Sequence, residues 1–233
     1  MEIRRLTLFA GHYGSGKTNL SINYAAFLKR KGYSVTVADL DIVNPYYRAK
    51  DSENMLQEMG ISLIASRFAN SNVDLPALPK EIYGLINDPE KCGVLDIGGD
   101  DRGALALGRF APDIIKEDSH EMLLVINRSR PLTKTAEETV EVLREMETTG
   151  GIPFTGIVNN TNLGLETKAE DVLSSISYAE RVSGITGLPI KMTCAMRKLI
   201  PELKGKIENL FPLDLQKLDY MLNTEVENGK INF

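Results

Sequence analysis

Residues 11–18 read Gly-His-Tyr-Gly-Ser-Gly-Lys-Thr and follow the apolar run Leu6-Thr7-Leu8-Phe9-Ala10. This is the full pattern G-x-x-x-x-G-K-[ST], and it constrains the fold more than any other feature of the chain. It needs a strand before it and a helix after it. Gly11, Gly14 and Gly16 permit backbone angles that aim several N–H groups at one anion. A helix opening at Lys17 adds its positive N-terminal end. Lys17 reaches the β- and γ-phosphates of a nucleotide, and the Thr18 hydroxyl binds Mg²⁺. The binding segment runs from Gly11 through His12, Tyr13, Gly14, Ser15, Gly16, Lys17 and Thr18 to Asn19. A chance glycine turn would have to carry the terminal Lys-Thr by accident, between a strand and a helix.

The rest of the chain supplies strands and helices in alternation. Strands are expected at 5–10, 34–39, 92–97, 121–127, 154–159 and 189–194. Most are apolar at both odd and even positions, as in strands covered on both faces. Helices are expected at 17–30, where Leu20, Tyr24, Phe27 and Leu28 share a face, and at 135–147, opened by a capping box of Thr135 and Glu138. A third is expected at 168–183, and Gly32 stops the first. This order gives an α/β fold: a doubly wound, mostly parallel sheet with helices on both faces, in a single domain over 1–233. Ligands of such sheets lie at the C-terminal strand ends, so the loops after residues 10, 39, 97 and 159 are expected to share one face.

Two acidic segments fall on that face. "ADLDIVNP" carries Asp39 and Asp41 at a strand end, one carboxylate suited to the water shell of a metal and one to an attacking water. "GVLDIGGDDRG" ends a buried strand with Asp96, an expected outer-sphere Mg²⁺ ligand. Gly98 and Gly99 then let backbone approach a γ-phosphate, where the Gly99 N–H is expected to bond it. A segment held by that phosphate and released on hydrolysis is a switch. Asp100 and Asp101 read as solvated or capping residues.

Composition narrows the partners. The 233 residues include 32 acidic and 27 basic ones, for a net charge of −5, which argues against general nucleic-acid binding. The two cysteines, Cys92 and Cys194, lack metal-ligand spacing and read as reduced thiols of a cytoplasmic protein. No apolar run is long enough to span a membrane, and the N-terminal residues lack a signal-peptide pattern.

These residues resemble the MinD/ParA class of nucleotide-binding proteins, which includes the nitrogenase iron protein and the CobQ/CobB type. The resemblance covers about residues 3–195 and rests on the loop at 11–18, "DLD", "DIGG" and "GIVNN". It implies an ATPase in which ATP and Mg²⁺ pair two subunits face to face and hydrolysis to ADP separates them. Under it, Asp41 corresponds to the acid that orients the attacking water, Asp39 and Asp96 to the acids around Mg²⁺, and Asn160 to the residue that reads the adenine edge. No Asn-Lys-x-Asp segment occurs, which favours ATP over GTP. The family loop usually carries a Lys where this chain has His12, and that Lys crosses to the partner subunit's phosphates. Lys is permanently charged near neutral pH, whereas histidine is mostly neutral at pH 7. The crossing charge is expected from His12, Arg48 or Arg102, or is missing.

The tyrosines of "NPYYRAKD" read either as a partner surface or as packing. The C-terminal "LDYMLNTEVENGKINF" is acidic and polar, unlike a membrane-binding basic helix. The function expected is an Mg-dependent ATPase switch, dimeric when nucleotide-bound, for an unidentified protein client. The alternatives are a nucleotide-binding regulatory module with negligible hydrolysis and a ligase of the CobB or dethiobiotin synthetase type.

Overall fold

The computed structural model describes residues 2–41, 52–65, 80–99 and 101–215, with Asp101 and Arg102 described in backbone only. The elements of the first half are β1 (Leu6–Ala10), α1 (Lys17–Arg30), β2 (Val35–Leu40), α2 (Glu53–Glu58), β3 (Ser62–Ala65), α3 (Glu81–Asn87) and β4 (Cys92–Ile97). The second half contains α4 (Asp101–Gly108), α5 (Ala111–Lys116), β5 (His120–Ile126), α6 (Ala136–Gly150), β6 (Gly156–Asn159), α7 (Ala169–Ser174), α8 (Ile176–Thr186), β7 (Ile190–Met196), α9 (Ile200–Leu203) and β8 (Leu210–Leu213).

The strands form one sheet in the order β3-β2-β4-β1-β5-β6-β7-β8, and every neighbouring pair is parallel. The chain builds outward on one side of β1, then returns to β1 and builds outward on the other. Such a reversal opens a crevice at the C-terminal end of the strands it separates. The loop at 11–18 leaves β1 at that crevice.

The strands are apolar at both parities because each face has its own core. Leu6, Leu8, Leu95, Ile97, Leu124 and Ile126 pack with α3, α5, α6 and α8 on one face. Phe9, Val94, Leu123 and Val125 pack with α1 and α2 on the other. At about 25 cal/mol per Å² of apolar surface buried, this double coverage is the main driving force for the fold. It also fixes strand register, because a slip of one residue would exchange the two cores.

Helix α1 begins and ends where the sequence indicated. Of its expected apolar stripe, Leu20, Tyr24 and Leu28 are fully buried and Phe27 is half-buried. The capping box opens α6 as expected, with Glu138 N donating to Thr135 Oγ1 at 3.2 Å and Thr135 N donating to Glu138 Oε2 at 3.1 Å.

The expected helix at 168–183 is instead two helices, α7 and α8, that meet at Ser175. The Ser175 hydroxyl donates to Val172 O at 2.7 Å and accepts from Asn159 Nδ2 at 2.8 Å. A side chain bonded to its own preceding turn competes with the helical ladder. Two strands beyond the expected six, β3 and β8, close the edges of the sheet. The Pro212 in β8 lacks an N–H donor, which an edge strand tolerates.

Candidate functional site

The loop between β1 and α1 lies against backbone on two sides. Gly11 has φ 152°, and a Cβ there would stand 2.3 Å from Val125 O of β5. On the opposite flank, a Cβ at Gly99 would stand 2.7 Å from both Gly11 O and Tyr13 N. Side chains at these two positions would hold β5 and the segment after β4 away from the loop. Their absence lets three backbone segments meet in one place.

Strand parity brings the acidic residues to the same point. Asp39 and Asp96 are register partners on adjacent strands β2 and β4. They share parity with Val37 and Val94, whose side chains lie on the face that α1 covers. Lys17 and Thr18 open α1 on that face. Lys17, Thr18, Asp39, Asp41 and Asp96 are all buried. Asp41 shares the parity of Asp39, and its backbone N–H donates to Asp39 Oδ1 at 3.0 Å. This Asx-type bond turns the chain as it leaves β2. Lys17 Nζ donates to His12 O at 3.3 Å, so the ammonium already lies under the loop.

Asp96 is the electrostatic centre of the cluster. It is fully buried, and neither carboxyl oxygen has a well-aligned hydrogen bond among the described residues, the Thr18 hydroxyl lying close enough to act on it without completing it. Burial pushes its carboxyl well above the usual carboxylate range, Asp39 adds to the rise, and Lys17 and Thr18 pull against it. Two unsatisfied oxygens in a dry site are costly unless a ligand completes them. The donors here are carboxylates and a hydroxyl, the hard oxygen set that suits a hydrated Mg²⁺. Thr18, Asp39 and Asp96 fit such an ion.

The two asparagines after β6 have different surroundings. Asn159 turns inward: its Nδ2 donates to Ser175 Oγ, and its Oδ1 accepts from Thr161 Oγ1 at 2.9 Å. Asn160 reaches the loop, where its Nδ2 donates to Ser15 O at 2.7 Å. His12 holds its Nδ1 3.1 Å from the carbonyl of the next residue, Tyr13, whose own side chain is exposed. Asn19 sits half-buried in the first turn of α1. Arg48, Asp100, the tyrosines of residues 44–51 and the C-terminal segment 218–233 lie outside the described residues, and Arg102 is described only in its backbone.

A strand–loop–helix with this sequence, two acidic strand ends beside it and a glycine segment against it make up the candidate site. The family model for the CobQ/CobB/MinD/ParA nucleotide binding domain matches residues 6–185. The chain belongs to this family. It is a P-loop nucleotide-binding protein, and the loop at 11–18 is its P-loop. No curated protein sequence matches it.

Among solved structures, FtsY from Mycoplasma mycoides matches with 18% identity and a TM-score of 0.55, over 82% of this chain and 59% of that one. The 54 kDa signal recognition particle protein from Aeropyrum pernix, in complex with GDP, matches with 18% identity and a TM-score of 0.54, over 82% of this chain and 41% of that one. The cell division protein FtsY from Thermotoga maritima matches with 17% identity and a TM-score of 0.53, over 90% and 65%. The chain spans less than two thirds of the length of each. At these identities the likeness shows the shared fold.

One contributor was missed by sequence reasoning. The loop after β5 joins the four loops expected at this face, and it brings Arg130 to the P-loop. Arg130 Nε donates to Gly14 O at 3.0 Å. The available signal was β5 itself: a strand beside β1 in a doubly wound sheet delivers its following loop to the same crevice. The two cysteines, Cys92 at the start of β4 and Cys194 in β7, are buried and free. No helix among the described residues is long and apolar enough to cross a membrane.

Proposed function

We propose that the protein is an Mg-dependent ATPase that works as a nucleotide-dependent switch for a protein client, pairing with a second copy of itself when ATP is bound. The observation that carries this reading is Asp96, whose two buried oxygens have no well-aligned hydrogen bond among the described residues and which sits beside Lys17 and Thr18. An apolar fold keeps such a group where a ligand completes it. In this reading Thr18, Asp39 and Asp96 hold the ion and its water shell. Mg²⁺ bound there neutralises charge on the phosphates. Lys17 leaves His12 O and bonds the β- and γ-phosphates. Asp41 orients the attacking water, and the Gly99 N–H meets the γ-phosphate, which makes the segment after β4 the moving part of the switch.

The preference for ATP is supported by Asn160. Ser15 O is an acceptor, so it fixes the Asn160 amide with its NH₂ toward the loop. That leaves the Asn160 Oδ1 as the group that, in this reading, meets the base. An acceptor there suits the exocyclic amine of adenine and opposes the 6-oxo group of guanine. Competition of GTP against bound ATP tests this; displacement at equal concentration contradicts it.

A second reading rests on His12. The P-loop lacks the lysine that crosses to the partner in this family, and His12 is engaged with its neighbour's carbonyl. A protein without that charge binds nucleotide and turns it over negligibly. Phosphate released per subunit separates the two readings. Sedimentation with a non-hydrolysable ATP analogue tests the dimer, and a monomer at every concentration removes it. Capture with the ATP-bound Asp41→Ala protein identifies the client.

A further inference from the structure

Arg130 lies against the P-loop at Gly14, 116 residues away in sequence. Its Cδ and Nε stand 3.5 Å from the point where a Cβ on Gly14 would be. Its Nε donates to Gly14 O, and among the described residues this is the only hydrogen bond its side chain makes. The guanidinium is planar and rigid, so one fixed nitrogen places the other two. Both Nη groups, with their four N–H donors, therefore stand beside the P-loop.

The loop that carries Arg130 is held in one shape. Asn127, fully buried, accepts on its backbone O from Arg130 N at 3.1 Å and from Thr133 Oγ1 at 2.9 Å. Its Oδ1 accepts from Ser129 N at 3.0 Å, and its Nδ2 donates to Asn162 O at 3.3 Å. Tyr178 OH donates to Thr133 O at 2.9 Å. Between these anchors Leu132 sits at φ 62°, a left-handed conformation that a leucine adopts only when its surroundings impose it. The neighbouring Arg128 is spent elsewhere, its Nη1 donating to Ser174 O at 2.7 Å.

Lys17 is the only lysine or arginine within residues 11–19, against the several charges of a triphosphate. We infer that Arg130 supplies a second cation in cis: Gly14 O holds its Nε, and its Nη groups contact the polyphosphate of the bound nucleotide. The inference rests on the nucleotide reading above and adds a residue to it.

The test separates the charge from the pin. Arg130→Gln keeps an N–H donor at the position of Nε and removes the charge and both Nη groups. Arg130→Ala removes everything, and Arg130→Lys restores charge alone. Calorimetric titration with Mg·ATP and Mg·ADP, repeated over a range of salt, is the measurement. Thermal unfolding of the nucleotide-free proteins verifies that each variant folds. The expected result is that Arg130→Gln weakens ATP binding roughly 10- to 100-fold, the range for a charge-assisted contact, and that its affinity depends less on salt. Arg130→Lys recovers part of the loss. Arg130→Gln that binds like wild type while Arg130→Ala is weak overturns the inference and leaves Arg130 a pin for Gly14. Unchanged affinity in all three overturns it as well. Wild type that takes no nucleotide defeats the underlying reading, a result distinct from either.

Discussion

Asp96 and Glu121 are both buried carboxylates of the same sheet, at opposite ends of neighbouring strands of β1. Burial is the first cause that raises the pKa of each. Their surroundings then diverge. Glu121 accepts a hydrogen bond from Thr7 Oγ1 at 3.2 Å and feels the nearby Lys191 and Arg4. The same end of the sheet holds Arg5, whose guanidinium donates to Ile86 O and Asp88 O at the end of α3 and to Glu117 Oε2 at 2.6 Å. At that end the chain's own groups take both Arg5 Nη atoms and the carboxylates of Glu117 and Glu121, leaving only the Arg5 Nε of these groups without a partner among the described residues. Asp96 has no such well-aligned bond: its oxygens face Thr18, Lys17 and another acid, Asp39. Burial alone therefore does not mark a functional carboxylate. What sets Asp96 apart from Glu121 is burial without a well-aligned hydrogen bond among the described residues, at the C-terminal strand ends beside the P-loop.

If the two ends differ in kind, substitutions at one should change nucleotide chemistry and substitutions at the other should change stability alone. The largest effect is expected at Asp41. Asp41→Ala should keep ATP affinity and slow turnover by about 10²–10⁴-fold, the scale for a positioned general base. Phosphate release under saturating ATP measures it, and a wild-type rate would assign the water to another residue.

A smaller effect is expected from Asp96→Asn. The nucleotide-free variant should melt no lower than wild type, since the substitution replaces a fully buried carboxyl, whose ionised form burial and Asp39 disfavour, by a neutral amide of the same shape. Mg·ATP at 100 times the wild-type dissociation constant should stabilise wild type by about 2.7 kcal/mol and the variant by much less. Equal stabilisation of both would place the ion elsewhere.

The smallest effects belong to the end that holds Glu117 and Glu121 and are read against pH. Glu117 is held below the usual glutamate range, chiefly by its bond from Arg5, so its stabilisation is present above about pH 4.3 and is lost as pH falls through the lowered pKa. Glu121 lies above that range, so its contribution is present below about pH 4.3 and is lost as pH rises through the raised pKa. Glu117→Gln should flatten the acid side of the melting profile, and Glu121→Gln should flatten the decline on the other side. ATP affinity should stay at the wild-type value in both. A drop in affinity for either variant would dissolve the distinction between the two ends.

Much of this end of the molecule is legible in the sequence, because local signals mark it. The P-loop is a contiguous motif, α1 opens directly after it, and Asp39 and Asp96 each end an apolar run. Three features are illegible for one physical reason: their partners are distant or missing from the pattern. The break at Ser175 depends on the Asn159 amide in β6. Strand β8 carries Pro212, which argues against a strand until its place at the sheet edge is known. Arg130 is an arginine in a polar loop until Gly14 O is brought to it from across β1 and β5. Asn159 and Asn160 carry no sequence distinction either; only the packing of Ser175 against one and Ser15 against the other separates them.

The central claim is that this P-loop holds a Mg-bound nucleoside triphosphate through Lys17 and the acids beside it. Calorimetric titration of Mg·ATP into wild type and Lys17→Ala tests it most directly. Lys17 is buried under the loop with its ammonium on His12 O. Losing its charge-assisted contacts should cost about 1.5–3 kcal/mol or more. Saturable binding to wild type, dependent on Mg²⁺ and abolished or nearly so in Lys17→Ala, is the result predicted. Equal affinity of the two proteins for Mg·ATP, or a folded wild type that takes none, would contradict it.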